Sequence, residues 1–233
     1  ALAAGKDKIL IGDMYSNSDG QINVLLDTAD SLFEGAALIG TAGGEINFTM
    51  SDLSLWRMLG DSSVTALAVS SGAIVDMTQY DDYQQLEISE LSGSGGEFIM
   101  KTDLASETDG DKLYVTDAAA GTSQFVQVND VSIINGAVVT GDKKLLLITD
   151  ASKNVEFIGK NLNNGGLWDI TPTLENGLAV GGSEEEWYLT KLRKEANNDT
   201  SVLLGAADNA YAMWRNTNDT MRQRLGDLRH NKI

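Results

Sequence analysis

The stretch that decides the fold is residues 97–128, "EFIMKTDLASETDGDKLYVTDAAAGTSQFVQV". It holds three short runs in which apolar and polar residues alternate, "EFIMKT" (97–102), "KLYVT" (112–116) and "FVQV" (125–128). Period two over four to six residues is the mark of a strand with one buried face. Between the runs lie acids, glycine and small residues. The acids of 103–111 do not make a calcium loop. Aligned on Asp109-Gly110, an EF-hand needs an acid at Ala105 and a bidentate glutamate at Thr116, and has neither. They read instead as a solvated turn between two strands.

Outward from this stretch the pattern repeats. "QINVLL" (21–26), "EINFTM" (45–50), "VTALAV" (64–69), "KLLLIT" (144–149) and "NVEFIG" (154–159) are strands of the same kind, separated by Gly, Asp, Asn and Ser clusters. Asn-Gly pairs, the usual hairpin turns, occur at 135–136, 164–165 and 176–177, fewer than a sandwich needs. Recurring short strand cores with small turn residues predict an all-β solenoid, a parallel β-helix over residues 20–195. Its inward stripe is expected to include Val24, Leu26, Ile46, Phe48, Leu67, Val69, Leu113, Val115, Val126 and Val128.

The last part of the chain follows another period. Leu203, Ala207, Ala210, Trp214, Thr217, Met221, Leu225 and Leu228 are three or four apart, which predicts an amphipathic helix of about 28 residues with Asp199 or Thr200 as its N-cap. At about 1.5 Å per residue it spans roughly 42 Å, yet Arg215, Arg222 and Arg224 keep it from facing lipid. No apolar run is long enough for a membrane-spanning helix. The chain starts at Ala1 without a leader and is expected to be an excerpt of a longer protein.

Net charge is −17, with eight basic and five acidic residues from 191 onward (+3), which leaves −20 on residues 1–190. Such a body repels nucleic acid and anionic membrane surfaces. The absence of cysteine fits a chain that stays unfolded until it has crossed a membrane. His230, near the chain end, is the only histidine, so the body holds no Ser-His-Asp or His-metal site. The acid runs Asp81-Asp82, Asp109-Asp111 and Glu184-Glu185-Glu186 sit in turns, and neighbouring acids on a strand point to opposite faces, so they read as solvated turns rather than a catalytic group. No catalytic, cofactor or metal residues are assigned. Trp56, Trp168, Trp187 and Tyr188 have two readings, a sugar-binding platform or large residues closing the end of the stack. Trp214 reads as a packing residue on the helix.

Three segments carry a family resemblance: "LWRMLGDSSVTALAVSSGAIVDM" (55–77), "LEISELSGSGGEFIMKTDLASETDGDKLYVTDAAAGTSQFVQV" (86–128) and "AYAMWRNTNDTMRQRLGDLR" (210–229). In this order, with "EWYLTKL" (186–192) before the helix, they are similar to the C-terminal part of autotransporter passengers, in the pertactin-like and diffuse-adherence adhesin branch. The resemblance covers about residues 52–229. It implies a right-handed β-helix and a division into stem coils (1–51), an autochaperone end with its cap (52–195), a linker helix (196–229) and the first residues of an outer-membrane barrel (230–233). The implied function is folding and translocation of a passenger displayed at the surface of a Gram-negative cell. The implied partner is the protein's own barrel around the helix, and the alternative is an adhesin module binding host protein or glycan through the β-helix face. Some relatives cleave themselves at an asparagine pair before the final motif. Aligning "RLGDLR" puts Asp219-Thr220 at that pair, with Asn218 one position away, so that route is not expected here.

Overall fold

The computed structural model describes residues 5–134, 143–162 and 168–196, and positions 202, 206, 209–218, 220, 221, 223 and 225 of a C-terminal helix. The chain divides into two compact units, one holding the strands and the other the helix. The first is a parallel β-helix. Its first coil is β1 (Ile9–Ile11), β2 (Met14–Ser16) and β3 (Gln21–Leu26), and its second is β4 (Leu32–Glu34), β5 (Ala37–Ile39) and β6 (Glu45–Met50). Later coils use two strands each: β7 (Leu55–Arg57) with β8 (Ser62–Val69), β9 (Ile74–Asp76) with β10 (Gln85–Ser92), and β11 (Ser94–Thr102) with β12 (Lys112–Ala118). Then come β13 (Thr122–Asp130), the one-turn helix α1 (Val131–Ile134), β14 (Leu145–Asp150) and β15 (Val155–Gly159). The chain finishes this unit with β16 (Trp168–Asn176), the short helix α2 (Gly177–Val180) and β17 (Glu186–Ala196). Solenoid coils therefore begin before the expected residue 20.

Strands of successive coils lie side by side. Among the described residues, one sheet runs β1-β4-β7-β9-β11-β13-β15 and a second runs β3-β6-β8-β10-β12-β14-β17-β16. A third, of β2 and β5, serves the first two coils. Register gives the coil length. Ile9 pairs with Leu32 and Leu32 with Leu55, 23 residues each; Leu55 to Ile74 is 19, and Ile74 to Glu97 is again 23. Glu97 to Phe125 is 28 residues, and Phe125 to Ile158 is 33. The additions fall between β11 and β12 and between β13 and β14, so the acid-rich stretch 103–111 is an insertion at a corner. A corner tolerates extra residues because they change no interstrand register.

All ten inward positions read from the sequence are buried. They stack in columns, Val24 on Phe48 on Leu67 on Leu91, and Leu26 on Met50 on Val69. Facing them is a column of Phe33, Trp56, Val75, Phe98 and Val126. Trp56 is fully buried in the third coil, between the two sheets. Its ring stacks on Phe48 at 4.7 Å and 10° and lies 5.6 Å from Phe33, and its indole N–H donates to the Gly35 carbonyl at 3.0 Å. Neither sequence reading of Trp56 holds. The residue is an interior packing element far along the chain from the closing coils, its ring held against Phe33 and Phe48 and its N–H satisfied by a main-chain carbonyl.

One glycine is set by this packing. Gly93 lies at φ +88°, and a Cβ there would meet the Val69 carbonyl oxygen at 2.4 Å, so coil four turns closely past coil three only without a side chain.

Every described residue between positions 202 and 225 is helical. Thr217 and Thr220 donate to the carbonyls of Met213 and Asn216, one turn back, at 2.9 and 2.8 Å. Trp214, Met221 and Leu225 are exposed, and Trp214 stacks on Tyr211 with centroids 6.0 Å apart. The expected N-cap, Leu203, Ala207 and Leu228 lie outside the described residues.

Replacing Trp56 by Ala is expected to destabilise the solenoid by about 3–5 kcal/mol, and Trp214→Ala on the exposed helix face by less than about 0.5 kcal/mol. Urea unfolding followed by far-UV circular dichroism checks both; equal effects would contradict the interior role of Trp56.

Candidate functional site

The end of the solenoid formed by the last coils differs from the rest in strand direction. β17 pairs antiparallel with β14, with Leu145 opposite Leu189, Leu146 opposite Tyr188 and Ile148 opposite Trp187, and β16 follows as the edge strand. An antiparallel hairpin thus stands where the next parallel coil would add. The chain reverses through α2. Asn176 caps this turn, its side-chain oxygen accepting from the Leu178 N–H at 3.1 Å and its side-chain amide donating to the Glu184 carbonyl at 2.8 Å. Gly181 then takes the left-handed conformation (φ 82°), as helix C-caps commonly do. The Asn-Gly pair at 176–177 is thus a helix start and not a hairpin turn.

Apolar residues of the hairpin cover the last coil. Leu189 is fully buried, and Trp187 packs half-buried, edge-on against Phe157 with centroids 5.7 Å apart. Pro172, the single proline, lies in edge strand β16, the kind of strand to which prolines in sheets are largely confined. It passes so close to β15 that a Cβ on Gly159 would meet the Pro172 carbonyl oxygen at 2.1 Å. The Tyr188 hydroxyl donates to Glu186 at 3.0 Å, and partial burial with this carboxylate pushes its acidity down, raising the phenol pKa. Tyr188 and Trp187 are therefore packed parts of the closing hairpin and not an open platform. The side chain of Trp168 lies outside the described residues.

The acid runs divide. Asp81, Asp82 and Asp109 are exposed, and Glu184 and Glu185 face Lys153 at 3.3 and 3.6 Å. Asp111 corrects the sequence reading. It is completely buried, accepting from the backbone N–H of Gln84 at 2.8 Å and of Lys101 at 2.5 Å. Three further aspartates do the same work at strand ends. Asp76 accepts from the Thr78 N–H and hydroxyl, Asp130 from the Thr102 hydroxyl and the Leu104 N–H, and Asp150 from the Ser152 and Val155 N–H groups. Each satisfies backbone donors that leave the ladder where the chain turns a corner. Sequence reasoning missed Asp76, Asp130 and Asp150, although each closes an apolar run ("IVD", "VND", "ITD") and that position was the available signal.

Burial dominates the acidity of Asp111 and pushes its pKa up to about 6, against the lowering effect of its two backbone donors. With both carboxylate oxygens engaged by main-chain N–H groups, Asp111 is a corner clasp. Among the described residues no group of three or more His, Cys, Asp and Glu is placed to hold a metal.

The pH dependence has a definite sign. A carboxyl whose folded pKa lies above its unfolded value holds more protons folded than unfolded, so its contribution to stability falls as pH rises from about 4 to about 6. A shift of about 2 units is on the order of 3 kcal/mol. The stability difference between wild type and Asp111→Asn is expected to move against wild type by that order across this window and to stay flat above it. Denaturant titrations at pH 4, 5, 6 and 7.5 check this; a pH-independent difference would contradict it.

The family model described as Pertactin matches residues 64–191. Over 174 residues the chain is 29% identical to the autotransporter adhesin/invasin TibA of Escherichia coli O78:H11 (strain H10407 / ETEC), a match covering 70% of this chain and 16% of that protein. It is 30% identical over 174 residues to the autotransporter CRAC of Citrobacter rodentium (strain ICC168), covering 68% of this chain and 10% of that protein. The chain thus corresponds to less than a fifth of the length of these relatives.

Proposed function

The chain belongs to the Pertactin family and is part of an autotransporter passenger, and from that premise we propose that it is the C-terminal stem, which promotes folding and translocation of the passenger at the outer membrane. In this reading residues 1–51 are stem coils, 52–195 the autochaperone end with its cap, 196–229 a linker helix inside the protein's own outer-membrane barrel, and 230–233 the beginning of that barrel. The observation that carries it is the antiparallel hairpin on β14. Elsewhere in the solenoid a strand edge waits for the next coil. Here β17 satisfies that edge and Leu189 covers the interior, so a block of coils holds together without a further neighbour on this side. Such a block folds first outside the cell and gives each following coil a template. Burial of apolar area, at about 25 cal/mol per Å², then opposes return through the membrane. The helix supports the linker assignment. Its described side chains are mostly exposed, and a polar helix suits the wet lumen of a barrel.

A second reading, adhesion to host protein or glycan through the β-helix face, draws on the adhesin/invasin name of TibA and on the groove described below.

The folding role is tested in the whole autotransporter with the double substitution Trp187→Ala and Leu189→Ala. Removing a buried leucine alone costs about 2–5 kcal/mol. Surface display of the passenger, measured by antibody labelling of intact cells, is expected to fall several-fold while barrel insertion, read from heat-modifiable migration, stays unchanged. Normal display would defeat the proposal.

A further inference from the structure

On the outer face of the eight-stranded sheet lies a groove of about 330 Å³, bounded by Ile39 of β5 and crossing β8, β10 and β12. Register fixes its floor. Glu87 stands directly beside Ser63 of the preceding coil and Tyr114 of the following one, at the strand spacing of about 4.8 Å. Tyr114 is 38% exposed, and Glu87 and Thr116 are exposed beside it. The Ser63 hydroxyl oxygen accepts from the Ile39 N–H at 2.9 Å, which ties the groove's rim to its floor and leaves the hydroxyl proton to be donated. Beneath these side chains Val64, Ile88 and Val115 are buried in the core. The outward groups therefore stand on a floor held by parallel ladders on both sides, and binding needs no ordering of the backbone.

We propose that this groove binds a neutral saccharide. An exposed tyrosine ring packs on the apolar C–H face of a pyranose while its hydroxyl stays in water. A carboxylate accepts strong charge-assisted hydrogen bonds from sugar hydroxyls, and Ser63 and Thr116 both donate and accept. The volume lies at the small end of the range of roughly 300–1,000 Å³ for ligand pockets, the size of a mono- or disaccharide. Charge selects the class. Glu87 lies in the groove, and Glu90 pairs in register with Asp117 on the same two strands, so sialylated and sulfated sugars are repelled. The site uses a surface on which the folding role of the hairpin makes no demand.

Saturation-transfer difference NMR on the 233-residue chain tests this. The probes are glucose, galactose, mannose, fucose, N-acetylglucosamine, N-acetylgalactosamine and lactose, with N-acetylneuraminic acid as the charged comparator. Transfer to ring C–H protons of at least one neutral sugar is expected. Tyr114→Ala should weaken it about tenfold, Glu87→Gln should weaken it less, and Tyr114→Phe, which keeps the ring, should retain it. Unfolding midpoints of Glu87→Gln and Tyr114→Phe are expected to match wild type, and Tyr114→Ala is expected to stay folded with a small decrease in its midpoint, since the Tyr114 ring is partly covered by its strand neighbours. The proposal is overturned by no transfer to any neutral probe, by transfer that survives Tyr114→Ala, or by stronger transfer to the sialic acid. None of these results bears on the display assay of the hairpin variant, so the two readings fail separately.

Discussion

The unpaired edge of a parallel strand is the constraint from which the rest of this structure follows. Its N–H and C=O groups find partners only on the neighbouring coil, so each coil is stable to the extent that another lies beside it. Stacking in register then forces inward residues into columns. It also confines variation in coil length to the corners, where the 19-residue and 33-residue coils differ without disturbing a ladder. The same rule makes the two ends of the stack special, because only an element of different geometry can stop the addition of coils. The antiparallel pairing of β17 on β14 is such an element.

Corners carry a second requirement. Backbone donors that leave a ladder at a turn are buried beside the core and need acceptors. Asp76, Asp111, Asp130 and Asp150 supply them, each buried and each bonded to main-chain or hydroxyl donors within a few ångströms of a strand end. The acidity of the chain therefore has two sources. Exposed carboxylates such as Asp81, Asp82 and Asp109 keep the surface solvated and self-repelling. The buried ones fold the corners, and the cost of burying their charge shows in the raised pKa of Asp111.

Interior and exterior of one strand answer to different demands. On β10, Leu86 and Ile88 are fixed by the columns they join, while Glu87 between them is free to meet solvent or a ligand. A folding stem and a binding surface thus coexist on the same coils without competing for residues. Core packing sets the first, and outward side chains at adjacent register positions compose the second.

Alternation within single strands was enough for the sequence to determine the core. The runs at 21–26 and 45–50 are β3 and β6 to the residue, and every inward position named from them is buried. Period two is a local property, and short strands with small-residue turns leave the solenoid as the architecture that buries one face of each. Three-residue strands such as β4, β7 and β9 were not legible, because no period can be counted over three residues. Trp56 was misplaced for a related reason. Its neighbours Phe33 and Phe48 lie 23 and 8 residues away in the chain and meet it only through coil stacking. Likewise, nothing local separates Asp111, buried between Gln84 and Lys101, from exposed Asp109 two residues before it. The direction of β17 and the meeting of Ser63, Glu87 and Tyr114 depend on register between coils, which is a long-range choice. Local pattern decides which face of a strand turns inward; only the stacked structure decides which distant residue it turns toward.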